Sequence, residues 1–234
     1  MAALPLLSVI IPTLDEEAVV GGVLADLESL TVSREVLVVD GGSNDMTVDV
    51  ARAAAARVLT SERGRGRQLR AGAEAARAPL LLFLHADSRL DGEAIALLDE
   101  VAIARPPCAM AFRLRIDARG FSYRLIERGA NLRTRLAKLP YGDQGLLVRR
   151  EDYARAGGYP DIPLMEDVEL VRALQRVTPV HLLGAAVTVS ARRWRREGPL
   201  RRSLRNWILL ARFLAGTPAE KLAASYQPES VVHE

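Results

Sequence analysis

Two short runs rich in Val, Ile and Leu, residues 6–11 and 35–39, each end in a turn and lead into a stretch with helical spacing. The first stops at Pro12 and passes through Asp15, Glu16 and Glu17 to Val19, Val20, Val23, Leu24 and Leu27. The second stops at Asp40-Gly41-Gly42 and passes to an Ala-rich segment over 46–56. Strands apolar on both faces, alternating with amphipathic helices, are the pattern of a parallel sheet covered on both sides. A chain that opens with two such units in tandem is committed to an α/β fold.

The alternation continues with a short strand over 57–60, a break at Gly64-Arg65-Gly66, a helix over 68–76, an entirely apolar strand over 80–84 and an amphipathic helix over 94–104. After Pro106 and Pro107 it stops. Strands over 109–116, 143–148 and 180–189, with helices over 121–136, 165–177 and 200–214, give the second half an α+β character, and 226–234 reads as a loose tail. At 234 residues, 49% hydrophobic and 26% charged, the chain can bury one sizeable core. The expected organisation is one domain over 1–234, with a first half over 6–105, a second half over 106–196, and a helical extension with the tail over 197–234.

No apolar run approaches the ~20 residues that cross a bilayer, and the first residues lack the cationic start of a secretory signal. Cys108 is the only cysteine, has no zinc-spaced neighbours and reads as a packing residue. These features predict a cytoplasmic protein. The net charge is only +3, yet 192–212 holds eight arginines against the single acid Glu197, an anion-attracting segment. No helix-turn-helix, zinc or RNP signature accompanies it, so no nucleic-acid partner is expected.

The polar residues that follow the apolar strands are the candidates for chemistry, because ligands of open α/β sheets sit at the carboxyl ends of the strands. Asp40 can accept hydrogen bonds from a base or ribose, with Gly41 letting backbone approach; equally it can close an Asx turn. His85-Ala86-Asp87 leaves the fourth strand, and Asp87 offers a hard oxygen to Mn2+ or Mg2+, with His85 either a second ligand or a structural histidine. Glu166 and Asp167 share the first turn of a helix whose dipole favours their ionised forms, which suits a general base and also suits simple helix stabilisation. Tyr141-Gly142-Asp143-Gln144-Gly145 is a turn rich in hydrogen-bonding groups, either the floor of a sugar site or a solvated turn. Arg63, Arg65 and Arg67 around two glycines can cradle phosphate, although neither a P-loop nor a dinucleotide fingerprint is present. Trp194 can stack on a sugar or simply be buried. In 200–214, Leu200, Leu204, Trp207, Ile208, Ala211 and Leu214 share one face, fit for anionic lipid or for packing on the domain.

Ser8-Val9-Ile10-Ile11-Pro12-Thr13 with Asp15-Glu16-Glu17, then Val38-Val39-Asp40-Gly41-Gly42-Ser43-Asn44-Asp45, then His85-Ala86-Asp87, then Glu166-Asp167, resemble glycosyltransferase family 2 in order and spacing over about residues 6–196. The resemblance implies a GT-A Rossmann-like fold, a mostly parallel mixed sheet flanked by helices. It implies that Pro12, Thr13, Glu16, Asp40, Gly41, Arg67 and Ala86 line the nucleotide site, that Asp87 with His85 holds the metal, and that Asp167, beside Glu166, is the base. Asp143, Gln144, Arg192, Arg193 and Trp194 are then expected around the diphosphate and acceptor. Gly142-Asp143-Gln144, Leu164-Met165-Glu166-Asp167 and Ser190-Ala191-Arg192-Arg193-Trp194 look like a small bacterial branch, the arsenosugar or selenium-associated transferases. In place of the family's usual Asp-x-Asp this sequence has His85-Ala86-Asp87, one carboxylate fewer for a metal.

The implied reaction is inverting transfer of a sugar from a nucleoside diphosphate to an acceptor hydroxyl. A diphosphate leaves as a stabilised anion, so one base plus cations suffices where a glycosidase needs two carboxyls. A catalytically weak nucleotide-sugar-binding domain and a sugar-phosphate nucleotidyltransferase are the alternatives, the second disfavoured by an acidic first loop. The sequence leaves self-association open.

Overall fold

The structure is a computed structural model that describes residues 4–225; the tail expected over 226–234 lies outside the described residues. Four strands run parallel at one side of an eight-stranded sheet: β1 (Leu7–Thr13), β2 (Arg34–Asp40), β3 (Arg57–Thr60) and β4 (Leu80–Phe83). The rest is mixed, with β5 (Ser88–Leu90), β6 (Ala109–Asp117), β7 (Leu146–Arg149) and β8 (Val180–Ser190), and the spatial order is β3-β2-β1-β4-β7-β6-β8-β5. The late strand β7 thus wedges antiparallel between β4 and β6.

The apolar runs are continuous because the two-residue period of a strand feeds two cores at once. Leu7, Val9 and Ile11 of β1, Val38 of β2, and Leu80 and Leu82 of β4 face α1 (Glu17–Glu28) and α4 (Gly92–Ala104). Ile10, Leu37, Val39, Leu81 and Phe83 face the opposite core, with α3 (Arg65–Ala75) and α7 (Glu166–Leu174). Each fully buried aliphatic of this kind contributes roughly 1.5–3 kcal/mol. At Gly72 a Cβ would lie 2.4 Å from the Ile10 side chain, so α3 lies against β1 as closely as a bare Cα permits.

One buried polar knot ties this apolar region together. Ser8 Oγ, near the start of β1, donates to Glu35 Oε1 at 2.6 Å and accepts from Ala78 N at 3.0 Å. Glu35 in turn accepts from the Arg77 backbone and guanidinium. Every polar atom of the knot therefore has a partner, which is the condition for burying it.

Several boundaries differ from the sequence expectations. The helix expected over 68–76 begins at Arg65, with Gly64 at φ 143° ahead of it. The strand expected over 143–148 begins at Leu146, since Gly142–Gln144 coils into a single 3-10 turn. The helix expected over 46–56 is the shorter α2 (Thr47–Ala53), while α6 (Arg150–Arg155), α8 (Arg192–Glu197) and α10 (Ala219–Ser225), together with β5, gave no sequence signal because so few residues carry no clear period. The basic helix α5 is Phe121–Ala137, and α9 is Pro199–Leu214, started by proline at its first position. In α9 the buried residues are Arg202, Leu209 and Leu210, so the apolar stripe picked from the sequence faces solvent instead of packing on the domain. Among the described residues no helix is long and apolar enough to cross a membrane.

Candidate active site

Because β1, β2 and β4 are parallel, Thr13, Asp40 and His85 emerge at the same edge of the sheet. Thr13 is the register partner of Asp40 and donates to its Oδ1 at 3.2 Å. Asp40 Oδ2 accepts from Gly42 N and Ser43 N, both at 2.9 Å, and the Ser43 hydroxyl also bonds the carboxylate. The Asx-turn alternative is therefore what this structure displays. Gln68, which the sequence did not single out, is buried beneath and donates to Thr13 O at 2.7 Å and Val39 O at 2.8 Å, clamping the ends of β1 and β2. Gly41 lies over that amide, where a Cβ would sit 3.0 Å from Gln68 Nε2.

Pro12 precedes Thr13 in β1, and Glu16 lies just before α1. Arg192 ion-pairs with Glu16 and brings its Nε within 4.0 Å of Asp87 Oδ2. Burial, reinforced by Asp87, pushes the Glu16 carboxyl up against the lowering pull of Arg192. Ala86 points the other way, into the core shared with α1 and α4.

Beside this rim a cleft of about 260 Å³ is lined by His85, Asp87, Asp143, Glu166, Asp167, Arg193 and Trp194 of the sequence candidates. Arg65, Tyr141, the 163–165 segment, Val189 and Ser190 at the end of β8, and Arg202, Asn206 and Leu209 of α9 complete it. Asp40 is not among its lining residues. Glu166 and Asp167, adjacent in sequence, fare differently. Glu166 is consumed by an ion pair with Arg65 and is almost wholly buried. Asp167 keeps a face on the cleft, accepts from Gly142 N at 2.8 Å and Val168 N at 2.8 Å, and lies 3.5 Å from Arg65 Nη2. Burial opposes the Arg65 charge, but Glu166 and Asp167 more than offset it and hold the guanidinium protonated.

Gly142 is where the fourth strand's loop and the start of α7 converge. A Cβ there would lie 3.0 Å from His85 Nε2 and 3.2 Å from Asp167 Oδ2. His85 is buried between the cations Arg65 and Arg193, and burial first, then those charges, press its pKa well down, so the imidazole is neutral. Burial raises the Asp143 carboxyl, and the charges of Asp167 and Asp87 add to the rise while Arg133 and Arg65 oppose it.

Gln144 is fully buried away from the cleft, where it donates to Phe112 O and accepts from Thr134 Oγ1 at 2.7 Å, and it holds the turn rather than facing a ligand. Arg67 is on another surface, paired with Asp161 and Glu62. Trp194 packs on Leu114, Ile116 and Ala130 and also lines the cleft.

The sequence model of glycosyl transferase family 2 matches residues 8–156, more than half of the chain. The chain belongs to glycosyl transferase family 2. Among solved structures this family 2 chain is similar to TarS 1–349 of S. aureus, with TM-score 0.61, 17% identity, and coverage of 87% of this chain and 64% of that one. The TarS complex with UDP-GlcNAc has TM-score 0.60, 18% identity, and coverage of 79% and 58%. Glucosyl-3-phosphoglycerate synthase from Mycobacterium tuberculosis, in complex with Mn2+, UDP-glucose and phosphoglyceric acid, has TM-score 0.59, 21% identity, and coverage of 79% and 71%. The chain thus spans less than two thirds of the TarS structures it matches. No curated protein matches its sequence. The likenesses establish the fold of this family 2 chain as GT-A Rossmann-like.

Among the described residues no three His, Cys, Asp or Glu side chains converge as a metal cage. His85, as a neutral imidazole, and Asp87 do line one cleft, two donors of suitable chemistry. That fits an ion whose remaining ligands come from a diphosphate and water rather than one stored by the protein.

Of the cleft residues, Arg202, Asn206 and Leu209 had no distinguishing sequence signal. They belong to a helix whose cleft-facing side is decided only by how it packs.

Proposed function

We propose that this family 2 glycosyltransferase moves a sugar from a nucleoside diphosphate sugar to an acceptor hydroxyl with inversion, using Asp167 as the base. The observation that carries this reading is the split between neighbours: Arg65 takes up Glu166, while Asp167 is held by Gly142 N–H with its carboxylate on the cleft. An oxygen with one hydrogen bond retains a lone pair for an attacking hydroxyl's proton. Arg193, which also lines the cleft, and Arg192 near Asp87 supply positive charge for the departing diphosphate. A divalent cation on Asp87 and His85 would neutralise the same group.

In this reading residues 6–105 grip the nucleotide through Thr13, Glu16 and the Asp40 turn, and 106–196 present the acceptor. The similar TarS and glucosyl-3-phosphoglycerate synthase structures contain UDP or UDP-sugars, the latter with Mn2+, which makes UDP and Mn2+ the first ligands to test. All three segments resembling the arsenosugar or selenium-associated branch reach this cleft, through Asp143, 164–167 and Ser190 with Arg193 and Trp194. The branch is part of the proposal on that ground. A cytoplasmic site of action belongs to it too, since Cys108 is a free thiol.

Asp167→Asn tests the assignment. Transfer should fall by about 100-fold or more, the usual worth of a positioned base, while UDP affinity measured by calorimetry stays near the wild-type value. Undiminished transfer by this variant removes Asp167 from the role.

A further inference from the structure

The two long C-terminal-half helices each carry a second apolar face that nothing among the described residues covers. On α5 the buried side is Glu127, Ala130 and Thr134. Roughly opposite on the helical wheel, Phe121, Leu125, Leu132 and Leu136 are 77%, 51%, 55% and 72% exposed. On α9 the side bearing Arg202 and Leu209 lines the cleft. Its far side presents Leu200, Leu204, Trp207 and Ile208, between 46% and 62% exposed. The helices touch: Arg133 of α5 stacks 3.6 Å from the Tyr141 ring centroid and reaches to 5.8 Å from that of Trp207.

The charge around these stripes has one sign. Arg128 and Arg135 flank the α5 stripe, Arg201 and Arg212 the α9 stripe; all are exposed, and none is in an ion pair among the described residues. Across both helices the only acid is Glu127, buried and paired with Arg124. Exposed apolar side chains of this size on two adjoining helices mark an interaction surface, and the arginines choose its partner. A second copy docking isologously would bring this arginine rim against its own image, at a cost in like-charge repulsion. Nucleic acid would match the arginines and leave the leucines unburied. An anionic lipid surface satisfies both, with apolar side chains in the acyl boundary and guanidinium groups among phosphates.

We infer that the α5–α9 face docks the protein peripherally on anionic bilayers. Since the stripe and the cleft lie on opposite sides of α9, docking holds the cleft about one helix diameter, ~10 Å, from the lipid surface.

The test is co-sedimentation of the full chain with vesicles of phosphatidylcholine alone and of phosphatidylcholine with phosphatidylglycerol in equal parts. The chain should pellet with the mixed vesicles only. Arg128→Gln with Arg201→Gln should lower partitioning by roughly 25-fold, about fivefold per arginine, and Leu132→Ser with Leu204→Ser by about tenfold or more. Circular dichroism matching wild type keeps these exposed-site variants interpretable, and the comparison of vesicle compositions needs no variant. A chain left in the supernatant with both vesicle types overturns the proposal. So does a dimer by light scattering that the leucine variant dissolves, or duplex DNA binding that the leucine variant leaves intact. No donor or acceptor enters the assay, so its failure leaves the transferase reading untouched.

Discussion

Gly142 is the residue on which His85 and Asp167 converge, and the absence of a side chain there has a use. Its N–H fixes Asp167, and its Cα faces His85 Nε2 and Asp167 Oδ2 at distances that a methyl group would violate by a few tenths of an ångström. Gly142→Ala should therefore lower kcat by about tenfold, because small misplacements at a reacting centre are costly, while Tm changes little. Steady-state kinetics beside a thermal melt would check it, and unchanged kcat would contradict it. Glu35 offers a second residue-level prediction, on stability. Burial alone would raise its carboxyl, but donation from Ser8 and from the backbone and side chain of Arg77 outweighs burial and lowers it. Unfolded, the group titrates near its ordinary value, about 4.3. Just below that pH the unfolded chain binds a proton that the folded chain does not, so the stabilisation is present above this value and is lost as pH falls through the lower folded value. Glu35→Gln should flatten the acid limb of Tm against pH; identical limbs would show that the knot does not titrate.

At the scale of elements, strand ends are as much the work of Gln68 as of the sheet. Its amide, projecting from α3, donates to carbonyls at the ends of both β1 and β2, where the ladder runs out. Gln68→Leu removes both donors from buried acceptors and should cost about 1–3 kcal/mol. The Thr13–Asp40 turn above should loosen with it, so UDP affinity should fall alongside the denaturation midpoint. Stability lost with affinity intact would mean that this turn does not hold the nucleotide. Element identity was readable where a run was long: β1, β2 and α5 lie within two residues of the expected positions at both ends. The turn over 141–145 was readable from its polar residues, but its boundary with the strand was not: Asp143 and Gln144 belong to a 3-10 coil fixed by the buried Gln144 and not by any period.

For the whole molecule, ligand binding should show as stability, since anything that binds the native state alone raises its apparent stability by RT ln(1 + [L]/Kd). UDP with Mn2+ should raise Tm more than UDP alone, and Asp87→Ala should erase that difference while leaving the metal-free shift. A manganese increment that survives Asp87→Ala would place the cation elsewhere.

What the sequence determined by itself was the α/β alternation and the order of its acidic turns, because apolar runs with a two-residue period and helices with a 3.6-residue period are local properties. The tertiary structure decided which acid keeps a face on the cleft. Glu166 and Asp167 are neighbours in the chain, and Arg65, 101 residues before Glu166, separates their roles. The wedging of β7 beside β4 brings Gly142 to His85, and the packing of α9 turns one side to the cleft and the other to solvent. Such contacts depend on how distant segments fill one core, and no local pattern encodes that.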